Sequence, residues 1–437
     1  MVKPELLAPA GTLNNLRYAL AYGADAVYAG MPRYSLRVRN NDFSTLEQLQ
    51  RGIDETHSQG KQLFLATNVL PHDAKVKTFI DDMAPIIDLK PDALIMADPG
   101  LIALVRQRWP EQVIHLSVQA NTMNSAAVRF WHSLGVQRVI LSRELSLNEV
   151  AEIRQQCPDT ELELFVHGAL CIAYSGRCLL SGYFNHRDAN QGSCTNACRW
   201  QYRLEAGGQE SMLGTERHPE ADGSYLLEEV TRAGEMMPIE EDEQGTYIMN
   251  SRDLRAVEHV QRLVEIGVDS LKIEGRTKSH YYVARTAQVY RRAIDDAVAG
   301  RPFNPALVTE LDFLANRGYT DGFYQRHHSH EHQNYLTNHS TETRQQFVGE
   351  ISEFNPESGI ATIVVKNRFE VGDTLQLITP NGHSRFQLEQ MQKLGGEAVG
   401  VAPGSGHQVQ MALPLDSGSW HYALLAKELA SWGDEAL

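Results

Sequence analysis

Eight short runs rich in β-branched and apolar residues recur along the first 275 positions, with helix-period segments between them. This alternation constrains the fold more than any other feature of the chain. The runs are ELLAPA (5–10), DAVYAG (25–30), KQLFLATN (61–68), DALIMAD (92–98), VIHLSVQ (113–119), RVILSRE (138–144), ELELFVHG (161–168) and DSLKIEG (269–275). Between them lie stretches such as TLNNLRYALAYG and SAAVRFWHSLG, the latter placing Ala127, Phe130, Trp131 and Leu134 on one helical face. Several helices end in glycine followed by Ala or Val (Gly23, Gly135, Gly267), the expected stop before a new strand. Eight strand–helix units imply an α/β fold, a (β/α)8 TIM-like barrel. A doubly wound sheet is the competing arrangement, but no Gly-x-Gly-x-x-Gly follows any strand, so a dinucleotide fold loses its best support.

Helix HYYVARTAQVYRRAIDDAVAG carries the chain out of the barrel, which is assigned residues 1–302. Within it, 168–200 is a cysteine-bearing loop after strand seven and 201–249 an acidic insert. Tyr247–Asn250 closes that insert as a surplus strand, and Ser251 and Asp253 are expected to cap helix RAVEHVQRLVEIG. Residues 303–344 read as a polar linker. Its His327, His328, His330, His332 and His339 are compatible with metal binding, but nothing orders those imidazoles and a solvated linker is the simpler reading. From 345 to 437 alternating strands and hairpin turns, with Asn381–Gly382 the strongest signal, imply a small all-β barrel domain like those appended to translation factors.

Four of the five cysteines, Cys171, Cys178, Cys194 and Cys198, share one stretch with the spacing C-x6-C-x15-C-x3-C. Gly176, Ser181, Gly182, Asn185, Asn190, Gly192 and Asn196 around them favour loops over helix. Soft ligands gathered on such backbone read as a metal site. A structural zinc usually shows two tight cysteine pairs and this stretch has one, whereas iron–sulfur clusters tolerate irregular spacing. Zinc and unligated thiols remain the alternatives. Cys157, before Pro158, reads as structural.

The chain opens on MVKPELLAPAG, which runs directly into a strand, and contains no run of about 18 apolar residues. A cytoplasmic, non-membrane protein is expected, and clustered unpaired thiols suit a reducing compartment. The net charge of −15 argues against a polyanionic partner until its distribution is considered. Residues 205–243 hold twelve acidic residues against Arg217 and Arg232. Basic clusters lie at Arg33, Arg37 and Arg39, at Arg177, Arg187, Arg199 and Arg203, and from Lys272 to Arg292. Each alone reads as a solvated face; convergence on one rim would make a nucleic-acid surface.

A barrel of this kind carries its active site at the C-terminal strand ends. Those ends hold Asn68, Asp98, Gln119 with Asn121, Arg143 with Glu144, His167, Lys272, Glu274 and Arg276. His167 reads equally as a core histidine or a catalytic acid. Glu144 and Glu274 stand beside cations, where a salt bridge is the simpler role. Three functions compete on the residues: a metal-cluster enzyme acting on nucleic acid, a thiol peptidase built on His167 and Cys171, and a non-catalytic nucleic-acid-binding scaffold. Four cysteines exceed what a thiol peptidase needs, and no HExxH motif offers a zinc route.

The segments HGALCIAYSGRCLLSGY and NQGSCTNACRW, with ELLAPAG, MNSRDL and LKIEGR, resemble the bacterial collagenase-type peptidase family, whose catalytic class was never established. The resemblance covers essentially the whole chain. It departs at Gln325 and Arg326, where relatives carry a glycine-rich ending. Several family members are understood as oxygen-independent hydroxylases of RNA bases or ubiquinone precursors that carry a [4Fe–4S] cluster. The resemblance implies cluster ligands Cys171, Cys178 and Cys194, with Cys198 at the fourth position, which varies among relatives. It further implies tRNA as partner, 5-hydroxyuridine at the wobble position as product, and prephenate, a small dianion, as hydroxyl donor. In that setting His167, Glu144 and Glu274 are the expected catalytic residues. Arg143, Arg276, Lys272, Asn68, Gln119 and Arg177 are the expected substrate-binding residues. Arg33, Arg37, Arg39, Arg285, Arg291, Arg292 and the C-terminal domain are expected to meet tRNA phosphates.

Overall fold

The computed structural model describes residues 2–31, 33–36, 42–170, 252–314, 316, 318–325, 345–414 and 420–429, with strands alone at 225–228, 236–242 and 245–247. Strands β1 (Glu5–Pro9), β2 (Ala26–Gly30), β3 (Gln62–Thr67), β4 (Ala93–Met96), β5 (Ile114–Leu116), β6 (Arg138–Ile140) and β7 (Glu161–Ala169) pair in parallel, each with the next. Strands β8 (Tyr225–Glu228), β9 (Met236–Asp242) and β10 (Gly245–Tyr247) form a separate antiparallel sheet in the insert. After β11 (Asp253–Arg255), strand β12 (Ser270–Ile273) pairs with both β7 and β1, so eight parallel strands close into the expected barrel.

Helices α1 (Leu13–Ala21), α2 (Leu46–His57), α3 (Asp73–Ile87), α4 (Pro99–Arg108), α5 (Ser125–Ser133) and α6 (Leu147–Gln156) follow the first six strands. Their starts are chemical: the side chains of Thr12, Thr45, Asp98, Asn124 and Ser146 each accept the main-chain N–H three residues on. Each such cap contributes about 1 kcal/mol. Helix α7 (Val260–Ile266) ends at Gly267, whose φ of 84° lets its N–H turn back to Leu263 and Val264.

Two local expectations are corrected. Asp253 does not cap α7. It lies in β11, antiparallel to the end of β7 and parallel to β13 (Tyr319–Thr320), so its backbone is committed to a sheet. Helix α7 instead follows the 3-10 turn Val257–His259 and has no side-chain cap. The apolar face read on α5 does not pack as a unit. Only Val128 is buried, with Trp131 leaning on the core, while Phe130 is 56% and Leu134 44% exposed.

Helix α8 (His280–Val298) packs against the C-terminal domain. Tyr281 stacks on Phe347 with ring centroids 4.9 Å apart, His280 Nε2 pairs with Glu350 at 3.0 Å, and Gln288 Nε2 donates to the Thr379 carbonyl at 2.8 Å. Residues 306–325, read as linker, belong to the barrel. Leu307 and Leu311 of α9 (Ala306–Asp312), with Leu314 and Tyr324, enter its core, and Tyr324 Oη donates to the Phe165 carbonyl at 2.6 Å. The i, i+4, i+7 spacing of those leucines was the available signal. The histidine-rich run 327–339 lies outside the described residues. The C-terminal domain is antiparallel, as expected. Its hairpin joins Thr374–Thr379 to Gly382–Gln387, and Pro380 and Asn381 make the turn.

Candidate active site at the barrel mouth

Period-2 alternation sends Glu161, Glu163 and Phe165 of β7, and Ser270 and Lys272 of β12, toward the lumen, and Glu274 follows just past the end of β12. The lower lumen is filled by charge. Arg138 reaches Glu5 at 2.6 Å, Glu161 at 2.8 Å and Glu163 at 3.2 Å, and Lys272 Nζ donates to Glu163 at 2.7 Å. Burial pulls the Lys272 ammonium below its ordinary range against the opposing attraction of Glu163. Lys272, expected at the mouth, is therefore committed one layer beneath it, 4.5 Å from the centre of the Tyr28 ring.

Above that layer sit the mouth residues. The Arg143 guanidinium lies 3.9 Å from the centre of the Phe165 ring and forms an ion pair with Glu274 across the mouth. Arg276 Nη1 donates to Ser35 Oγ at 2.6 Å, and its guanidinium stands 5.7 Å from the Tyr28 ring centre. Glu144 accepts from Ser142, so the carboxylate meeting Arg143 is Glu274 rather than its chain neighbour. Asn68 and Gln119 meet at 2.9 Å across the ends of β3 and β5. Asp98 caps α4, accepting from Leu101 at 2.9 Å. Asn121 takes a left-handed φ of 50° and donates to the Gln119 carbonyl at 3.0 Å. Ser35, Ser117, Tyr28 and Phe165 were not singled out in the sequence. Inward alternation along β2 and β7 would have found the two aromatic residues.

His167 is placed elsewhere. The β7–β12 register shifts at Lys272/Ile273, and the imidazole lies among Tyr282, Tyr290 and Tyr319, with ring centroids 5.8, 5.5 and 5.4 Å away. It is 1% exposed. Burial, reinforced by Arg255 and Lys278, pushes its pKa down to about 3. A neutral core histidine results, and the catalytic expectation is corrected to a packing one.

Among the described residues, the arginines expected to meet tRNA phosphates are paired within the protein. Arg285 is fully buried between α8 and Glu310. Arg291 is paired with Asp25 at 2.7 Å and Asp295 at 3.0 Å, and Arg292 with Glu310 at 2.7 Å. These pairs all lie within the barrel unit, and of the three only Arg292 keeps a partly exposed guanidinium. Arg33 remains half-exposed, paired with Asp82 at 2.7 Å. Arg37, Arg39, Arg177, Cys171, Cys178, Cys194 and Cys198 lie outside the described residues. Cys157 is buried at the end of α6, as expected. Among the described residues no group of three or more His, Cys, Asp or Glu is arranged to hold a metal ion, and no helix is long and apolar enough to cross a membrane.

Gly30, the last residue of β2, explains how Arg276 reaches the mouth. A Cβ at this position would overlap Arg276 Nη1 and stand 2.8 Å from Ser35 Oγ. The new methyl would press on the flexible Arg276 guanidinium and on the buried Ser35 hydroxyl together, so Gly30→Ala should break the contact between them. The expected result is loss of the Arg276–Ser35 contact in a crystal structure of the variant, with at most a small fall in melting temperature. A substantial fall in melting temperature would contradict this placement.

Comparison with known proteins places these features in a family. Residues 11–334 match peptidase family U32, and residues 343–425 match the peptidase family U32 C-terminal domain. The chain is 56% identical to tRNA hydroxylation protein P of Escherichia coli K12, over 98% of each chain. It is 55% identical to the Haemophilus influenzae protein of the same name, over 98% of this chain and 97% of that one. A more distant relative, the 23S rRNA 5-hydroxycytidine C2501 synthase of Escherichia coli K12, is 30% identical over 68% of this chain and 40% of its own length.

Proposed function

The chain belongs to peptidase family U32, and from that premise we propose that it is a tRNA hydroxylase forming 5-hydroxyuridine at the wobble position, independent of oxygen, with prephenate as hydroxyl donor. The names of its relatives support the substrate class. The observation that carries the reading is the mouth itself. Arg143 and Arg276 stand at the ends of β6 and β12, the strands flanking β7, and β7 ends at Ala169, two residues before Cys171. A dianion drawn into that mouth would meet two planar guanidinium forks, each suited to a carboxylate.

The donor set fits a cluster: four thiols lie within 28 residues of sequence that begin two positions after β7 ends at Ala169. Cys171, Cys178, Cys194 and Cys198 would hold a [4Fe–4S] cluster, which when bound would supply Lewis-acid or one-electron chemistry there. The remaining work falls to this chain's own residues. Arg143 and Arg276 bind and orient the dianion. Phe165 and Tyr28 floor the mouth and keep water from the lumen below. Glu274, tied to Arg143, holds that guanidinium over Phe165 and can accept a proton when the donor displaces the pair. The thiol peptidase reading loses its base, because His167 is buried and held neutral.

Total tRNA nucleosides from cells with and without the gene should differ by the hydroxylated uridine. Protein purified without oxygen should be brown and hold about four irons per chain, and Cys171→Ala should bleach it. Arg143→Lys and Arg276→Lys keep charge but lose the fork. Hydroxylation should fall at least about tenfold, equal to about 1.4 kcal/mol, with fold and cluster intact. Full activity in both variants would sink the donor assignment.

A further inference from the structure

The mouth is divided. Its charged half, Arg143, Glu274 and Arg276, belongs to the ends of β6 and β12, whereas the ends of β3 and β5 present the neutral side chains of Asn68, Ser117 and Gln119. The loop after β2 joins the halves. Ser35 Oγ receives Arg276, and the next residue, Leu36, donates its main-chain N–H to Asn68 Oδ1 at 3.3 Å. Tyr34 pins that loop: it is 1% exposed, packs edge-on against Phe79, and donates its hydroxyl to Asp82.

A main-chain N–H can only donate, so the Asn68 carbonyl faces Leu36 and its Nδ2 faces away. Nδ2 donates to Ser117 Oγ at 3.3 Å and to Gln119 Oε1 at 2.9 Å, and Ser117 Oγ–H donates to the same Gln119 oxygen. Both lone pairs of that oxygen are therefore engaged. The Gln119 Nε2 group, half-buried at the mouth, has no acceptor among the described residues. The relay thus turns a side chain able to donate or accept into a donor only.

We propose that Gln119 Nε2 donates to the exocyclic oxygen at position 4 of the target pyrimidine, and that this contact makes the mouth select uracil over cytosine. The assignment rests on the hydroxylase reading above. Position 4 adjoins the carbon to be hydroxylated. Uracil carries a carbonyl there, which accepts; cytosine carries an amine, which would set donor against donor and leave a desolvated N–H without a partner. The dianion then occupies the arginine half and the neutral base the amide half, with Ser35 and Leu36 holding the two in fixed relation.

Gln119→Glu separates this role from a structural one. One carboxylate oxygen keeps both bonds from Asn68 and Ser117, while the other replaces the Nε2 donor by an acceptor. Loaded enzyme would be assayed on tRNA transcripts carrying uridine or cytidine at the wobble position, with tRNA affinity and melting temperature measured alongside. The uridine-to-cytidine ratio of kcat/KM should fall at least about tenfold in Gln119→Glu with affinity and melting temperature unchanged. In Gln119→Met, uridine turnover should fall about tenfold with no gain on cytidine. An unchanged ratio in folded Gln119→Glu, beside active wild type, overturns the assignment alone. Wild-type enzyme that hydroxylates neither transcript overturns the hydroxylase reading and this assignment with it.

Discussion

Glu163→Ala should destabilise the barrel by about 3–5 kcal/mol, the cost of stripping one partner from a buried ion network. The Glu163 side chain is fully buried and meets Lys272 at 2.7 Å and Arg138 at 3.2 Å. Burial disfavours the Arg138 charge, but the Glu5 and Glu163 carboxylates outweigh it and hold the guanidinium ionised. Removing Glu163 leaves two cations in the lumen, with Glu5 and the partly exposed Glu161 as counter-charges to Arg138 and none for Lys272. Lys272 then has no acceptor within the layer that supports Phe165 and, through it, Arg143. The check is urea denaturation monitored by circular dichroism, with Glu163→Ala/Lys272→Met beside the single variant. The double variant removes one charge of each sign and should recover part of the loss. A single-variant loss below about 1 kcal/mol would show that the network is not the barrel's electrostatic keystone.

Acid should destabilise this protein through His167. Tyr290 Oη donates its proton to the Val166 carbonyl at 2.6 Å, so toward His167 Nδ1, 3.4 Å away, it can only accept. The proton of the neutral ring therefore sits on Nδ1, and Nε2 is left buried with no partner among the described residues. Protonating Nε2 would create a buried cation with an unmade hydrogen bond, between Arg255 and Lys278. The folded pKa of about 3 lies below the ordinary value of 6.5. Between those values the unfolded chain binds the extra proton, so stability is complete above about pH 6.5 and is lost as pH falls, by about 1.4 kcal/mol per unit. His115, buried in the lumen beside Arg138 and Lys272, is pushed down in the same direction and adds to the slope. His167→Phe should flatten the pH dependence of the denaturation midpoint between pH 6.5 and 4 relative to wild type. Equal slopes in the two proteins would refute the assignment.

Strand–helix alternation, glycine stops and the Ser, Thr, Asp and Asn helix caps were legible along the chain because each depends on neighbours a few residues away. The same holds for the hairpin near Asn381 and for the inward alternation that puts Ser270 and Lys272 on one face of β12. Partner choice was not legible. Arg143 meets Glu274, 131 positions away, rather than the adjacent Glu144, because β6 and β12 are brought to one mouth by barrel closure. His167 left the mouth through a single register shift against β12, which turns a side chain to the other face of a sheet. Arg285, Arg291 and Arg292 read as a cationic stripe, yet Asp25, Asp295 and Glu310, supplied by α8 and by distant elements, absorb them. A charge's worth depends on what lies within a few ångströms of it, and that distance is set by the fold.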